Sequence, residues 1–222
     1  MDFSPLWISL KTGVAATIIS FFLGILLANF TVKVKPSVKV VLDGILTLPL
    51  VLPPTVAGFL LLYLFSLRRP VGAFLYDAFD IKVVQTWLGC ILAATVIALP
   101  LMYRNARGAF EQVDSNLIYA ARTLGMSEWM IFWKVQMPAA KPGILSGTIL
   151  TFARALGEYG ATSMLAGNIS GKTGTISQKI AMVIQDGDYK TAGIWVLLII
   201  GIAFFIIVFM NLAMFCEKQR AR

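Results

Sequence analysis

Five stretches of this chain are long and continuously apolar, at residues 6–29, 41–65, 84–103, 144–166 and 191–215. A helix needs about 20 apolar residues to cross a bilayer's hydrocarbon core. Within that core every backbone N–H and C=O must be satisfied internally, so only helices and closed barrels can span it. Barrel strands alternate apolar and polar residues, and these stretches do not. They predict an all-α membrane protein of five transmembrane helices, one domain over residues 1–222. Composition agrees, with 58% of residues hydrophobic and 14% charged, against roughly 45–50% and 25% in soluble domains. No basic segment or small-residue cleavage site marks the first stretch, so it is expected to be a retained span and not a signal peptide.

Lys and Arg set the orientation, because they collect in cytoplasmic loops. Lys33, Lys35 and Lys39 lie in the first connection, Arg104, Arg107, Arg122, Lys134 and Lys141 in the third, and Lys218, Arg220 and Arg222 in the tail. These segments share one side and carry eleven basic residues, against six (Arg68, Arg69, Lys82, Lys172, Lys179 and Lys190) on the other. The bias predicts an outer N-terminus and a cytoplasmic C-terminus in a multi-pass protein of the cytoplasmic membrane. Lys11, near the outer end of its span, can snorkel to the interface. The net charge of +8 is thus distributed among loops, with no compact patch for nucleic acid. Cys90 and Cys216 sit in or beside apolar runs, without metal-ligand spacing, and are expected to be packed thiols and not a disulfide. The chain has no histidine, the commonest general base and metal ligand. No catalytic residue and no metal site is expected.

The connection over residues 104–143 is unlike the others. Ser115 is placed to cap a helix running through Ala120 and Ala121 to Leu124, with Gly125 ending it in a left-handed position. Ser127 and residues 129–133 suggest a second short helix, closed by Pro138 and Pro142. Ala120, Ala121 and Gly125 are small enough for another surface to approach closely, and Trp129, Phe132 and Trp133 suit a membrane interface. A solvated amphipathic loop without a partner is the alternative reading.

Two spans carry features that an inert hydrophobic helix does not need. Arg154 and Glu158 fall in the fourth, four residues apart and so on one helix face, where they can neutralise each other. Two readings stand for them: a translocation pathway or interface between copies, and a buried pair that fixes helix packing. Pro49, Pro53 and Pro54 in the second span each remove an amide donor, predicting a kink or local unwinding. Broken backbone of that kind either lines a wet cavity or is a packing bend. Pro100 supplies a similar bend in the third span.

The loop resembles the EAA loop of binding-protein-dependent ABC importer permeases, in the two alanines Ala120 and Ala121, then Gly125, then Pro138 at the family's spacing. Tyr119 stands where the family has glutamate, which leaves the helix–glycine–helix shape but removes that carboxylate. The segments LPLVLPPTVAG, FARALGEYGAT and GNISGKTGTISQKIAMVIQDGDYKTAG are similar to permeases of the sulfate and molybdate branch, molybdate above all.

The resemblance implies a type I ABC importer permease fold and alternating access as a dimer with a second permease copy. It also implies cytoplasmic ABC ATPase subunits, an extracytoplasmic oxyanion-binding protein and surrounding membrane lipid as partners. Ala120, Ala121, Leu124, Gly125 and Pro138 would belong to the ATPase-coupling loop. The cargo implied is a tetrahedral dianion, with sulfate or tungstate as alternatives to molybdate. Such a pathway needs hydroxyl and amide donors, for which Thr47, Thr55, Thr95, Ser146, Thr151 and Thr162 are candidates beside Arg154 and Glu158. Each hydroxyl can equally bond its own helix backbone. The chain has no Gly-x-x-x-x-Gly-Lys-Ser/Thr phosphate loop. A secondary transporter would call for ion-coupling carboxylates, of which only Glu158 qualifies, and a membrane enzyme would call for clustered catalytic groups.

Overall fold

α1 (Ser4–Lys33) starts with Pro5 in its first turn and presents small residues at four-residue spacing, Ala16, Ser20, Gly24 and Ala28, all buried. Such a stripe lets a second backbone approach closely, which drives helix association where no hydrophobic gradient exists. The partner is α5 (Trp87–Glu111), whose Ala93, Ala94, Ala98 and Ala106 are also buried. The contact is close: a Cβ added at Gly24 would lie 2.7 Å from Met102 Cγ. This computed structural model describes residues 2–220, with side chains described to residue 212. Cys216, Lys218, Arg220 and Arg222, named above, lie outside those side chains.

The second apolar stretch folds as α2 (Pro36–Val51) and α3 (Pro54–Phe65), which meet at an angle of 108°. Pro53 and Pro54 dictate the break, since neither can donate and Pro disfavours a helical residue before it. Pro49 lies inside α2 without ending it. The next connection forms α4 (Pro70–Phe79), which closes on Asp80 in a left-handed conformation.

α5 is followed by α6 (Ser115–Thr123) and α7 (Glu128–Ile131), and a π-helical turn at Phe132–Gln136 runs into α8 (Met137–Leu156). Two expectations are corrected here. Asp114, not Ser115, caps α6, its carboxylate accepting the Asn116 N–H at 2.9 Å. Pro138 and Pro142 do not close a helix, because the chain stays helical from Glu128 to Leu156. In an α-helix the Pro138 ring would strike the Lys134 carbonyl four residues earlier. The π turn spans that carbonyl and widens the helix there, leaving room for the ring.

The fourth apolar stretch is likewise interrupted, after Leu156, and resumes as α9 (Gly160–Ala166). α10 (Ile176–Gln185) has a complete capping box between Thr175 and Gln178. The Ile176 N–H donates to buried Ser9 Oγ at 2.8 Å, tying this loop to α1. α11 (Tyr189–Arg220) closes the chain. No strand occurs among the described residues. α1, α5 and the Tyr189–Leu212 part of α11 are each long and apolar enough to span, and α2 with α3 makes a bent fourth. The core lies where α1, α5 and α8 meet, around Met102, Tyr103, Phe110, Phe132 and Ile144.

Candidate translocation and coupling sites

The breaks in the second and fourth apolar stretches face each other. α9 packs on α3 with almost no side-chain volume between them. A Cβ on Gly58 would fall 2.6 Å from the Ala161 Cα, and one on Gly160 would fall 2.9 Å from Pro54 Cβ and 3.2 Å from the Thr55 nitrogen. Glycine is required at both places by the neighbouring backbone. Glu158 holds the second break in shape. It is 3% exposed, accepts the Ala161 N–H through Oε1 at 2.8 Å, and faces Arg154 Nη1 through Oε2 at 2.8 Å. One carboxylate thus satisfies an orphan amide at the start of α9 and neutralises an arginine that is itself part-exposed.

The candidate hydroxyls divide. Thr55 lies in the first turn of α3, exposed at the break, and Thr162 is buried on α9. They lie on the two helices that meet at the breaks, the Thr55 nitrogen 3.2 Å from a Cβ built on Gly160. Thr47 lies on α2 and donates to the Asp43 carbonyl at 2.6 Å, and Thr151 donates to the Gly147 carbonyl at 2.7 Å, each bonding its own helix. Thr95 Oγ1 is buried without a hydrogen-bond partner. Ser146 lines a separate polar cavity of about 480 Å³ between the C-terminal end of α5 and the N-terminal end of α8, with Arg104, Asn105 and Gln112.

The loop over residues 104–143 has a rooted base and a bare tip. At its base Phe132 enters the core against Phe110, with ring centroids 5.9 Å apart. At its tip α6 ends in a Schellman motif: the Met126 N–H bonds the Ala121 carbonyl, the Gly125 N–H bonds the Arg122 carbonyl, and Gly125 has φ +76°. Ala121 turns inward and is buried, while Ala120, Leu124 and Gly125 are exposed, Leu124 at 81%. Pro138 stands apart, at the start of α8. Arg122 clips α6 to α7, Nε to Glu128 Oε1 at 2.7 Å and Nη2 to Oε2 at 3.2 Å. The Arg122 hydrogen bond holds the Glu128 carboxyl below the usual glutamate range, outweighing the small effect of burial.

Sequence reading missed a charged network joining α2 to the C-terminal half of α5. Asp43 accepts from the Tyr103 hydroxyl and pairs with Arg107, Lys39 pairs with Glu111, and Arg107 Nε lies 3.3 Å from Glu111. α2 buries no residue fully, and this network joins the packing of Leu46 in tying it to the core. The i,i+4 spacing of Arg107 and Glu111 was visible in the sequence. The cross-helix pairing depends on register between α2 and α5, which periodicity does not supply.

A family model described as "Binding-protein-dependent transport system inner membrane component" matches residues 20–220. The chain is 44% identical over 184 residues to the molybdenum transport system permease protein ModB of Escherichia coli K12, covering 83% of this chain and 80% of that protein. It is 36% identical over 185 residues to the sulfate transport system permease protein CysT of Escherichia coli K12, covering 83% and 66%. A solved bacterial ABC transporter involved in import of the acidic polysaccharide alginate matches with TM-score 0.79 at 16% identity, over 94% of this chain and 77% of that one. At that identity the likeness speaks to the fold, an all-α type I importer permease.

Proposed function

The chain belongs to the family of binding-protein-dependent transport system inner membrane components, and from that premise we propose that it is the subunit through which molybdate crosses the cytoplasmic membrane in an ATP-driven importer. The observation that carries the cargo is the 44% identity to a molybdenum permease, over segments that include both interrupted spans. The lower identity to the sulfate permease supports molybdate ahead of sulfate. Two copies would form one pathway, with N-termini outside and C-termini in the cytoplasm, as the eleven-to-six distribution of Lys and Arg supports.

Energy comes from ATPase subunits seated on the tip of α6. Tyr119, Ala120, Leu124 and Gly125 leave an apolar knob exposed on a charged loop, and such a patch calls for a partner. From there the chain is helical without interruption from Glu128 to Leu156, roughly 40 Å at 1.5 Å per residue. It ends at Gly157, beside Arg154 and Glu158. The helix is a strut: movement of the tip reaches the two facing breaks as displacement of one end of a rigid rod. The anion passes near those breaks, where Thr55, Thr162 and the amides freed by the breaks serve as weak donors. Glu158 offsets the charge of Arg154, so the arginine does not trap a dianion. On the outer side, the loop from Gly167 through α10 is held to α1 and offers an ordered platform for the binding protein.

The test is uptake in proteoliposomes holding this chain, its ATPase and its binding protein, with labelled molybdate, tungstate and sulfate offered separately. ATP-dependent molybdate uptake is expected. Uptake of sulfate in preference, or uptake without ATP, overturns the reading.

A further inference from the structure

Between α1 and the aromatic base of the coupling loop lies an open apolar groove of about 510 Å³. Phe22, Ile25, Leu26 and Met137 line its length, Phe132 and Trp133 its inner wall, and Lys33, Glu128 and Trp129 its mouth. Phe22 and Leu26 are each 66% exposed, so the groove opens away from the core. From Phe21 to Lys33 the α1 wall rises roughly 18 Å, slightly more than one leaflet's hydrocarbon depth of about 15 Å. The mouth holds one cation, Lys33, and one carboxylate, Glu128. Glu128 is paired with Arg122, whereas Lys33, though near enough to Glu128 to favour its ionised form, makes no ion pair within 4 Å among the described residues, so with Arg122 counted the mouth keeps one positive charge in excess. The groove's inner wall is the π turn, a distortion often retained at functional positions.

We propose that this groove is a binding site for one phospholipid with a net negative headgroup. One acyl chain lies along Phe22, Leu26 and Met137, and the phosphate is held by Lys33 between the indoles of Trp129 and Trp133. Depth, apolar lining, a single available cation and interfacial tryptophans all fit that occupant. The lipid would sit against the base of the coupling loop and brace α7 against α1. The inference rests on the membrane placement of the chain and not on which anion it carries.

The experiment uses the full chain in detergent, titrated with phosphatidylglycerol or phosphatidylcholine bearing a photoreactive acyl chain, followed by cross-linking and mapping of the labelled residues. Labelling is expected to concentrate on α1 and the π turn along the groove. Phosphatidylglycerol should half-saturate at a concentration about five-fold lower than phosphatidylcholine, the factor one basic residue near the headgroup supplies. Lys33→Gln should abolish that preference, while Lys35→Gln, an equal loss of charge just outside the groove, should leave it. Leu26→Trp, which fills the groove, should reduce labelling there by both lipids, and this keeps the test valid if Lys33→Gln does not fold. Equal half-saturation by the two lipids, equal effects of the two lysine variants, or labelling spread evenly over α1 and α11 overturns the proposal. Labelling blocked only because a second copy covers the groove overturns it as well.

Discussion

Gly58→Ala tests the meeting of the two breaks most directly. The added Cβ would sit 2.6 Å from the Ala161 Cα and 2.9 Å from both the Ala161 oxygen and Met164 Cβ. Carbon atoms rest at about 3.5–4.0 Å, so α3 and α9 must part by about 1 Å. Two of the three obstructing atoms are backbone, and no rotamer change relieves them. Overpacking of this kind costs about 1–3 kcal/mol. Alanine returns up to about 1 kcal/mol of helix propensity, leaving a net loss of up to about 2 kcal/mol. Gly44→Ala is the matched control, since Gly44 lies inside α2 with no atom within 4 Å of its added Cβ. It should be neutral or stabilising by up to about 1 kcal/mol. The assay is thermal unfolding of both purified variants in detergent, with ATP-driven uptake of the reconstituted complex measured in parallel. Gly58→Ala should lower the unfolding temperature and uptake, and Gly44→Ala should lower neither. Equal behaviour of the two would refute the idea that backbone contact between the breaks holds the site in shape.

Other predictions address the remaining parts. Gly125→Ala puts a side chain at φ +76°, a strain of about 1–2 kcal/mol, with nothing in the chain for its Cβ to strike; the permease should still insert but co-purify poorly with its ATPase, and normal co-purification with normal transport would sink the coupling assignment. Glu158→Gln keeps an oxygen for the Ala161 N–H but strands Arg154, so Arg154→Gln with Glu158→Gln should transport better than Glu158→Gln alone; equal loss in both would instead give Arg154 an individual role in anion contact. A double-mutant cycle of Asp43→Asn and Arg107→Gln should give a coupling of about 1 kcal/mol in thermal unfolding, modest because both side chains are about a quarter exposed; zero coupling would remove the network as a tie of α2. Glu128 is held ionised in the folded loop, so the stability its clip lends α6 and α7 is present above the ordinary glutamate value of 4.5 and lost as pH falls through the lower folded value. Arg122→Gln should raise the Glu128 titration midpoint, followed by the carboxyl carbon chemical shift, and an unmoved midpoint would contradict that cause.

Much of this architecture was legible because the membrane simplifies the physics. Apolar length alone predicted helices, and Pro53 with Pro54 predicted a break whose angle is 108°. Gly125 was read as a left-handed terminus and has φ +76°. Other features escaped for identifiable reasons. Residues 144–166 read as one span because Gly157 is tolerable in a helix; what ends α8 is Glu158 turning to cap α9, a choice made by tertiary fit and not by propensity. Pro138 read as a stop because the rule for proline assumes α geometry, and the π turn before it changes that geometry; Pro142 lies inside α8 without ending it. The Asp43–Arg107–Glu111–Lys39 network needed the register of two distant helices.

Two of these misreadings, at Pro138 with Pro142 and at Gly157, fall on one continuous helix and the turn that ends it, and that bears on the proposed mechanism. Had Pro138 ended a helix, the coupling tip would hang from a loop, and its motion would dissipate in backbone torsions. A helix unbroken from Glu128 to Leu156 cannot absorb displacement that way. The compliant points are displaced to its two ends: the Schellman turn at Gly125 and the break after Gly157. Around the strut, the Phe110–Phe132 contact holds its lower part to α5, and the charged network holds α2 to the same helix. In the proposed coupling a push at Leu124 would cross the Gly125 turn through the Arg122–Glu128 clip and then follow continuous helix to Glu158, Gly160 and Pro54, where the elements are in close contact and small shifts open or close space. Stiffening that upper break, by Gly157→Ala, whose Cβ would meet only the Ala153 oxygen at 3.6 Å, should leave folding intact while uncoupling ATP hydrolysis from uptake. Retained coupling in that variant would show that the strut does not act through this joint.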